Sequence, residues 1–245
     1  MIYFLLPAYN EENDLPRLLE EFISVHFSFP YHIIIVNDGS TDKTPAIIEE
    51  YKNKLPLSAV HHDKNRGLGK ALSTGFSEIL ARIKDSDILI TTDSDGTHPL
   101  DTVYAIINKI KTGADVVVAS RFVSGGQENG VNLFRRLLSH VASSGLGILW
   151  PVENIRDYSS GFRGYSYAMI TRLHAMFGEK LVEESGFSST LELLLKASLA
   201  GGKFDEVPLK LRYDNKKGAS KMKVTRTILA YFKLIVRLKR LKPAK

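Results

Sequence analysis

The sequence predicts an α/β domain with a mostly parallel β-sheet and helices on both of its faces. Over the first 120 residues, short apolar runs alternate with amphipathic stretches of helical spacing, which is typical of buried parallel strands joined by helices. A chain of 245 residues with 44% hydrophobic content can bury a substantial core. Polar clusters follow the apolar runs, and parallel sheets bind ligands at the carboxyl ends of their strands.

Five apolar runs are the predicted strands, and they cover residues 2–6, 33–36, 57–61, 88–92 and 116–119. They are short and rich in aliphatic residues, which favours strands over helices. Helices are predicted between them, near residues 14–27, 43–54, 68–83 and 100–111. Residues 120–132 show no clear pattern of either kind.

Four polar clusters follow the first four predicted strands. They are Pro7-Ala8-Tyr9-Asn10-Glu11, Asn37-Asp38-Gly39-Ser40-Thr41-Asp42, Arg66-Gly67-Leu68-Gly69 and Asp93-Ser94-Asp95. The carboxylates of Asp93 and Asp95 offer oxygen ligands to Mg²⁺ or Mn²⁺, whose other positions take water and phosphate oxygens. The same three residues also suit an ordinary turn, in which Asp and Ser bond to their own backbone. The triplet alone does not decide between the two.

Several kinds of site are excluded by the sequence. No GxGxxG follows the first strand and no GxxxxGK[ST] occurs, which argues against dinucleotide and P-loop sites. No Gly-x-Ser-x-Gly elbow supports a Ser/His/Asp triad. The chain has no cysteine, so it has no thiol nucleophile or Cys-ligated zinc, and this fits a reducing compartment. The apolar N-terminus lacks a basic flank and is predicted to be a strand rather than a signal peptide.

The positive charge of the chain is concentrated near its C-terminus. Residues 215–245 carry eleven Lys and Arg and no Asp or Glu, which leaves a net charge of −5 for residues 1–214. Residues 228–236 are apolar except for Lys233, too short a run to span a bilayer. This segment is predicted to form an amphipathic helix, either on an anionic membrane surface or docked on the body of the protein. No motif supports nucleic-acid binding.

Five ordered motifs resemble those of the inverting glycosyltransferases of family 2. They are Pro7-Ala8-Tyr9-Asn10-Glu11, Val36-Asn37-Asp38-Gly39-Ser40, Asp93-Ser94-Asp95-Gly96, Ser120-Arg121-Phe122 and Ser160-Gly161-Phe162-Arg163. Within that family, their order and spacing are similar to those of the dolichyl- and polyprenyl-phosphate mannose synthases. The resemblance covers residues 1–223. It implies a GT-A fold and strengthens the interpretation of Asp93 and Asp95 as a metal site.

The resemblance also implies roles on the donor side of the site. The nucleotide would be held by Pro7, Ala8, Tyr9, Glu11 and Asp38, and the metal by Asp93 and Asp95, with Asp95 as its principal ligand. Two positions depart from the usual family motifs. Thr97 stands where a glutamine is usual, and Asn37 stands where an aspartate is usual, so the metal shell and the identity of the base are left open.

On the acceptor side, the resemblance implies basic residues near the transferred sugar and the acceptor phosphate. They are Arg121, Arg135, Arg163, Arg212 and the element containing Ser220 and Lys221. A polyprenyl phosphate is already anionic, so its attack needs orientation and charge stabilisation more than a strong base. If the acceptor were a sugar hydroxyl, Asp157 or Glu192 would be the candidate base. The Gly-containing loop at residues 121–134 is a candidate lid over the donor.

These observations predict a GT-A catalytic domain at residues 1–223 and a basic amphipathic helix at residues 224–245. The expected reaction is metal-dependent, inverting transfer of mannose from GDP-mannose to a polyprenyl or dolichyl phosphate. It would take place on the cytoplasmic face of a membrane. A UDP-sugar transferase acting on a lipid phosphate or a glycan hydroxyl, and a non-catalytic nucleotide-sugar binder, are the alternatives. A separate membrane-anchoring subunit is left open.

Overall fold

The computed structural model describes residues 1–215 and 224–241, except for the side chains of residues 134–135, 215 and 224–226. Its main sheet has seven strands in the order β3-β2-β1-β4-β7-β5-β8. The strands are β1 (Ile2–Ala8), β2 (Tyr31–Asn37), β3 (Leu57–His61), β4 (Ile88–Thr91), β5 (Val116–Ser120), β7 (Arg163–Ser166) and β8 (Phe204–Pro208). The five predicted strands are therefore confirmed, and they form the core of a GT-A-like fold.

Eight α-helices lie within the described residues. They are α1 (Leu15–Ser24), α2 (Thr44–Tyr51), α3 (Leu68–Leu80), α4 (Thr102–Lys111), α5 (Leu133–Leu149), α6 (Tyr167–Phe177), α7 (Ser188–Leu199) and α8 (Val224–Leu238). Helix α1 begins with a proline in its first turn and buries Leu15, Leu18, Leu19 and Phe22, a spacing that places them on one face. The four helices predicted in the N-terminal half are confirmed.

Strands β7 and β8 of the main sheet were not predicted from sequence patterns, and β7 is the antiparallel one. It runs antiparallel between β4 and β5, with Thr91 paired to Arg163 on one side and Val118 paired to Arg163 on the other. Gly164 is required there because a Cβ would overlap the side chain of Ile106 on α4. The insertion brings the Ser160-Gly161-Phe162-Arg163 segment beside the end of β4.

The described residues also form a second, two-stranded sheet. It pairs β6 (Gln127–Asn129) in parallel with β9 (Lys210–Arg212). Strand β6 lies in the loop for which the sequence showed no clear pattern. Gly130 follows it with a φ of +75°, and a Cβ there would overlap the backbone of Asp214. The glycine therefore permits a close approach of two backbones.

The hydrophobic core has two layers, one on each face of the main sheet. Alternating residues of β1 show the division, since Leu5 contacts the layer that contains α3 and α7, whereas Phe4 and Leu6 contact the layer that contains α1 and α4. This alternation follows from the two-residue period of a strand. Strands β1, β2, β4 and β5 are buried on both faces, as the apolar runs predicted.

Helix α8 docks on the body of the protein. Its residues Tyr231, Leu234, Ile235 and Leu238 are buried in the core layer that contains α7, and they lie on one face of the helix. Of the two arrangements expected for this C-terminal helix, on a membrane surface or docked on the protein, the structure shows the docked one. Across residues 1–215 and 224–241, every helix falls short of the length and apolar character needed to cross a bilayer.

Candidate active site

A pocket of about 780 Å³ lies at the carboxyl ends of β1, β2 and β4. Residues from all four predicted polar clusters line it, including Pro7, Ala8, Tyr9, Glu11, Asp38, Gly67, Leu68, Asp93, Ser94 and Asp95. Parallel strands bring these clusters to one edge of the sheet. The volume is in the range of sites for small molecules and cofactors.

Asp95 is held in place by a turn at the end of β4. Its Oδ1 accepts hydrogen bonds from the backbone N–H of Thr97 at 3.1 Å and from the Thr97 hydroxyl at 2.7 Å. Arg17 of α1 donates to the backbone oxygens of Asp95 and Gly96, at 2.8 and 3.1 Å. Thr97, which stands where the family has a glutamine, therefore orients the carboxylate. No sequence motif pointed to Arg17.

Asp93 and His98 lie on the other side of the same turn. The His98 Nδ1 lies 2.9 Å from the Thr92 hydroxyl, and its Nε2 lies 4.0 Å from Asp93 Oδ2. The imidazole ring stacks on Phe162, with ring centres 4.9 Å apart. The turn is thus braced from β4 and from the segment before β7, while the Asp93 carboxylate remains half-exposed.

The carboxylate oxygens at this turn suit a hard divalent cation that keeps some of its coordination positions for other ligands. The carboxylates of Asp93 and Asp95 both line the pocket. Within the described residues, no group of three or more His, Cys, Asp or Glu side chains forms a complete metal site. Mg²⁺ and Mn²⁺ are commonly held by one or two carboxylates together with water and phosphate oxygens. The residues therefore suit a cation that is completed by a diphosphate.

Asp38 organises the neighbouring wall of the pocket. Its Oδ1 lies 2.6 Å from His62 Nδ1 and accepts the Arg66 N–H at 3.0 Å, and its Oδ2 accepts the Gly67 N–H at 2.7 Å. The other ring nitrogen of His62 lies 3.0 Å from the Thr74 hydroxyl. Asp38 faces the pocket as the sequence led us to expect, and it also fixes the turn that leads into α3. His62 had no sequence signal.

Asn37, the second departure from the family motifs, has a local structural role. Its side-chain oxygen accepts the Ser40 N–H at 3.1 Å, and its Nδ2 lies 3.0 Å from His61 Nδ1. The amide therefore shapes the turn after β2 and links it to the end of β3. Asp38, one residue later, is the side chain that reaches the pocket.

Arg121 is clamped on the opposite wall by a buried carboxylate. Its Nε and Nη2 donate to the two oxygens of Asp157, each at 2.8 Å, and Nη2 also donates to the Ser159 hydroxyl at 2.7 Å. Glu128 of β6 lies 3.6 Å from Nη1, and its Oε1 is buried without a hydrogen-bond partner. A bidentate pair of this kind gives the guanidinium a fixed orientation.

Asp157 is fully buried and ionised. Burial by itself raises the pKa of its carboxyl, but the Arg121 guanidinium and the hydrogen bonds from Arg121 and Ser159 outweigh that effect and lower the pKa below its ordinary value of 3.8. Its Oδ1 also accepts the N–H groups of Ser159 and Ser160. A carboxylate with a lowered pKa and this many donors is a poor proton acceptor. Its geometry suits orientation of Arg121 better than general-base chemistry.

Arg163 and Arg212 are not among the residues that line this pocket, although Arg163 lines a small neighbouring cavity together with Asp93 and Gly161. The Arg163 side chain is only 1% exposed, and its guanidinium donates to the backbone oxygens of Thr190 and Tyr158. The Arg212 guanidinium lies on β9, 3.7 Å from Glu21, and is partly exposed. Of the other proposed acceptor-side residues, Ser220, Lys221 and the side chain of Arg135 lie outside the described residues.

Helix α8 and the segment before α7 complete the pocket, which sequence reasoning did not foresee. The lining includes Thr227, Ile228, Ala230 and Tyr231 of α8, and residues 184–188. Burial raises the pKa of the Tyr231 hydroxyl to about 12, and its charged neighbours are Arg163, Asp157 and Arg121. The tyrosine is therefore a neutral wall residue beside the Arg121 clamp.

Glu192, the second candidate base, lies behind this wall. It is fully buried on α7, where its Oε2 accepts the backbone N–H groups of Glu183 and Glu184, both at 2.8 Å. Its Oε1 lies 2.8 Å from Lys196 Nζ and 2.7 Å from Arg237 Nη2. Both carboxylate oxygens of Glu192 are therefore occupied by hydrogen bonds and ion pairs within the protein.

Comparison with known proteins shows similarity along most of the chain. The family described as glycosyl transferase family 2 matches residues 3–173. A dolichol-phosphate mannosyltransferase from Pyrococcus furiosus is 31% identical over 96% of this chain, which spans 62% of that protein's length. A polyprenol monophosphomannose synthase from Mycolicibacterium smegmatis is 29% identical, and the match covers 94% of this chain and 84% of that protein.

The fold is also similar to that of solved structures. Glucosyl-3-phosphoglycerate synthase from Mycobacterium tuberculosis, in complex with Mn²⁺, UDP-glucose and phosphoglyceric acid, aligns with a TM-score of 0.68 and 19% identity, covering 97% of this chain and 79% of the other. At that identity the likeness establishes the fold alone. It supports the GT-A architecture.

Proposed function

The chain belongs to glycosyl transferase family 2, and on that premise we propose that it transfers a hexose from a nucleotide sugar to a polyprenyl phosphate. The relatives named as dolichol-phosphate and polyprenol-phosphate mannose transferases support mannose, and hence GDP-mannose, as the substrate. The observation that carries the proposal is the meeting of Asp93, Asp95, Asp38 and Arg121 in one pocket.

The donor is assigned to the wall formed by β1, β2 and β4. The nucleoside lies against Pro7, Ala8, Tyr9, Glu11 and Asp38, which all line the pocket. Its diphosphate would lie toward Asp93 and Asp95, which would hold Mg²⁺ or Mn²⁺; a bound cation would supply positive charge beside the diphosphate leaving group. The Thr97 hydroxyl and Arg17 keep the Asp95 carboxylate and its turn in place for this contact.

The acceptor phosphate is assigned to the Arg121 side of the pocket. The phosphate is already anionic, so its oxygen attacks the anomeric carbon directly and no side chain removes a proton. The bond between the sugar and the nucleoside diphosphate breaks as the new bond to the acceptor phosphate forms, and this direct displacement inverts the anomeric centre. Asp157 keeps the Arg121 guanidinium oriented through two hydrogen bonds of 2.8 Å. Arg163 supports the floor of the pocket through backbone carbonyls rather than contacting the phosphate.

A membrane surface is assigned to the outer faces of α5 and α8, which both contribute to the pocket lining. Helix α5 exposes Leu133, Leu137, Val141, Ile148 and Leu149, and α8 exposes Leu229, Phe232 and Val236. On α8 this apolar stripe is accompanied by Lys233, and Lys239 and Arg240 follow the helix. Apolar side chains with neighbouring cations suit an anionic bilayer interface. A lipid acceptor could thus enter the pocket from the bilayer, and the lack of cysteine fits the cytoplasmic face.

The direct test is transfer from GDP-mannose to a polyprenyl phosphate presented in phosphatidylglycerol vesicles. We expect a mannosyl phospholipid in the β configuration, loss of product with EDTA, and recovery with Mn²⁺ or Mg²⁺. The variant Asp95→Asn should lose most turnover while keeping its thermal unfolding temperature. A wild-type chain that binds the donor but forms no product with any lipid phosphate would contradict the proposal and favour a non-catalytic binder.

The donor base is tested separately by ligand-induced stabilisation. A donor that binds the folded state raises the unfolding temperature by mass action. We expect GDP-mannose with Mn²⁺ to stabilise the chain more than UDP-glucose or UDP-N-acetylglucosamine does. Larger stabilisation by a UDP-sugar would identify the alternative transferase and correct the base assignment.

A further inference from the structure

One cation of α8 differs from the others in its surroundings. Arg237 contacts Glu192 at 2.7 Å and Glu184 at 3.1 Å, and it lies 4.0 Å from Glu183. Lys196 of α7 completes this group, at 2.8 Å from Glu192 and 3.0 Å from Glu183. We call these five residues the α8 ion-pair cluster. Arg240, three residues beyond Arg237, has an exposed side chain.

The α8 ion-pair cluster stands directly behind the pocket wall. The wall consists of residues 184–188, which line the pocket. Glu192 fixes its beginning by accepting the N–H groups of Glu183 and Glu184. The Glu192 carboxylate and the Lys196 ammonium are both fully buried. Such buried charges are stable only while every partner is present.

The wall in turn packs against the turn that Asp38 organises. The backbone oxygen of Ser185 accepts the Gly69 N–H at 3.2 Å. Side chains larger than hydrogen are excluded there, because a Cβ on Gly67 would overlap the Ser185 oxygen and one on Gly69 would overlap the Glu184 oxygen. Gly67 also donates its N–H to Asp38 at 2.7 Å. A continuous set of contacts therefore joins α8 to the donor side of the pocket.

We propose that Arg237 is a positioning residue for the nucleotide-sugar donor, acting through Glu192 on residues 184–188, rather than one of the membrane-facing cations. This inference rests on the proposed function, since it takes the donor to bind beside Asp38. It also makes α8 a part of the donor site and not an appended segment.

The net charge of the α8 ion-pair cluster gives a second reason to expect that Arg237 favours donor binding. The α8 ion-pair cluster has three carboxylates and two cations, a net charge of −1 beside a pocket assigned to an anionic diphosphate. Removing the Arg237 charge makes the net charge −2. The carboxylates of Glu184 and Glu192 also lose their contacts with Arg237, so residues 184–188 are held less firmly. The added negative charge of the cluster repels the anionic diphosphate of the donor.

The test compares Arg237→Gln with Arg240→Gln, which removes the same charge from a nearby exposed position. Kd for GDP-mannose with Mn²⁺ is measured by titration calorimetry, and vesicle affinity by flotation with phosphatidylglycerol vesicles. We expect Arg237→Gln to raise the donor Kd about tenfold, a common size for coupling between sites. It should also raise the donor KM while leaving the acceptor KM unchanged. Arg240→Gln should weaken vesicle binding and leave the donor Kd unchanged.

Further variants separate positioning from general damage to the fold. Arg237→Lys keeps the charge and should recover most of the donor affinity. Equal donor affinity for wild type and Arg237→Gln would overturn the inference while leaving the proposed function intact. An equal loss of donor affinity in Arg240→Gln would also overturn it. A wild-type chain that binds neither GDP- nor UDP-sugars would instead refute the proposed function, and this inference with it.

Discussion

The substitution Asp157→Asn separates the two roles that a carboxylate at this position could have. Asparagine keeps the shape of the side chain but removes the charge and replaces one oxygen with an N–H donor. The Asp157 oxygens accept six hydrogen bonds, three of them from Arg121. The amide cannot accept all of them, and the buried Arg121 guanidinium loses the nearer of its two counter-charges, Glu128 at 3.6 Å being the other.

The expected loss of stability is large because the pair is buried. Removing one partner of a buried ion pair costs about 3–5 kcal/mol. In a chain of this size, 1 kcal/mol lowers the unfolding temperature by about 2–4 °C, so a decrease of roughly 6–20 °C is expected. The matched control is Asp205→Asn, whose partner Lys109 lies 2.7 Å away with both side chains partly exposed. That change should cost at most about 1 kcal/mol.

The pH dependence of stability gives an independent readout of the same interaction. The pKa of Asp157 in the folded protein is lowered from 3.8. The stabilisation it provides is therefore complete above pH 3.8 and is lost as the pH falls through the folded-state pKa. The difference in unfolding free energy between wild type and Asp157→Asn should narrow as the pH falls below about 3.8. Urea unfolding at several pH values measures this directly.

A general-base role predicts a different result. If Asp157 acted only as a general base and did not hold Arg121, Asp157→Asn would keep the wild-type unfolding temperature and reduce turnover about 10²–10⁴-fold, as is usual when a general base is removed. Unchanged stability in this variant would refute our interpretation of Asp157 as the residue that orients Arg121.

Three further substitutions test other contacts. Thr97→Val removes the hydroxyl that donates to Asp95 at 2.7 Å. A hydrogen bond to a charged group contributes about 1.5–3 kcal/mol, so we expect the affinity for the donor in the presence of Mn²⁺ to fall by at least tenfold in calorimetry. Thr97→Ser keeps the hydroxyl and should recover this affinity. Gly69→Ala places a Cβ on the Glu184 oxygen and should lower stability by about 1–3 kcal/mol in urea unfolding, whereas Gly145→Ala, with open space around it, should be neutral or slightly stabilising. Leu229→Ser changes a side chain that is 65% exposed, so vesicle flotation should weaken while the unfolding temperature stays within about 2 °C of wild type.

The sequence by itself determined strands β1 to β5 and the residues on the donor side of the pocket. Apolar runs of strand length fix β1 to β5, because strands buried on both faces must be continuously apolar. The carboxyl ends of parallel strands share one edge, so Asp38, Asp93 and Asp95 could be placed together before the structure was known. The alternation of apolar runs and amphipathic helices carries this information locally.

Tertiary structure alone decided how each side chain is used. The antiparallel strand β7 has no local pattern that distinguishes it, and its position between β4 and β5 buries Arg163 beneath the pocket. The pairing of Asp157 with Arg121 spans 36 residues, and that of Glu192 with Arg237 spans 45. Contacts over such distances depend on how the helices pack, because the sequence records which residues are charged but not which charges meet. Asp157 thus holds Arg121 on one side of the pocket, Glu192 holds the start of residues 184–188 on another, and α8 adds further lining residues.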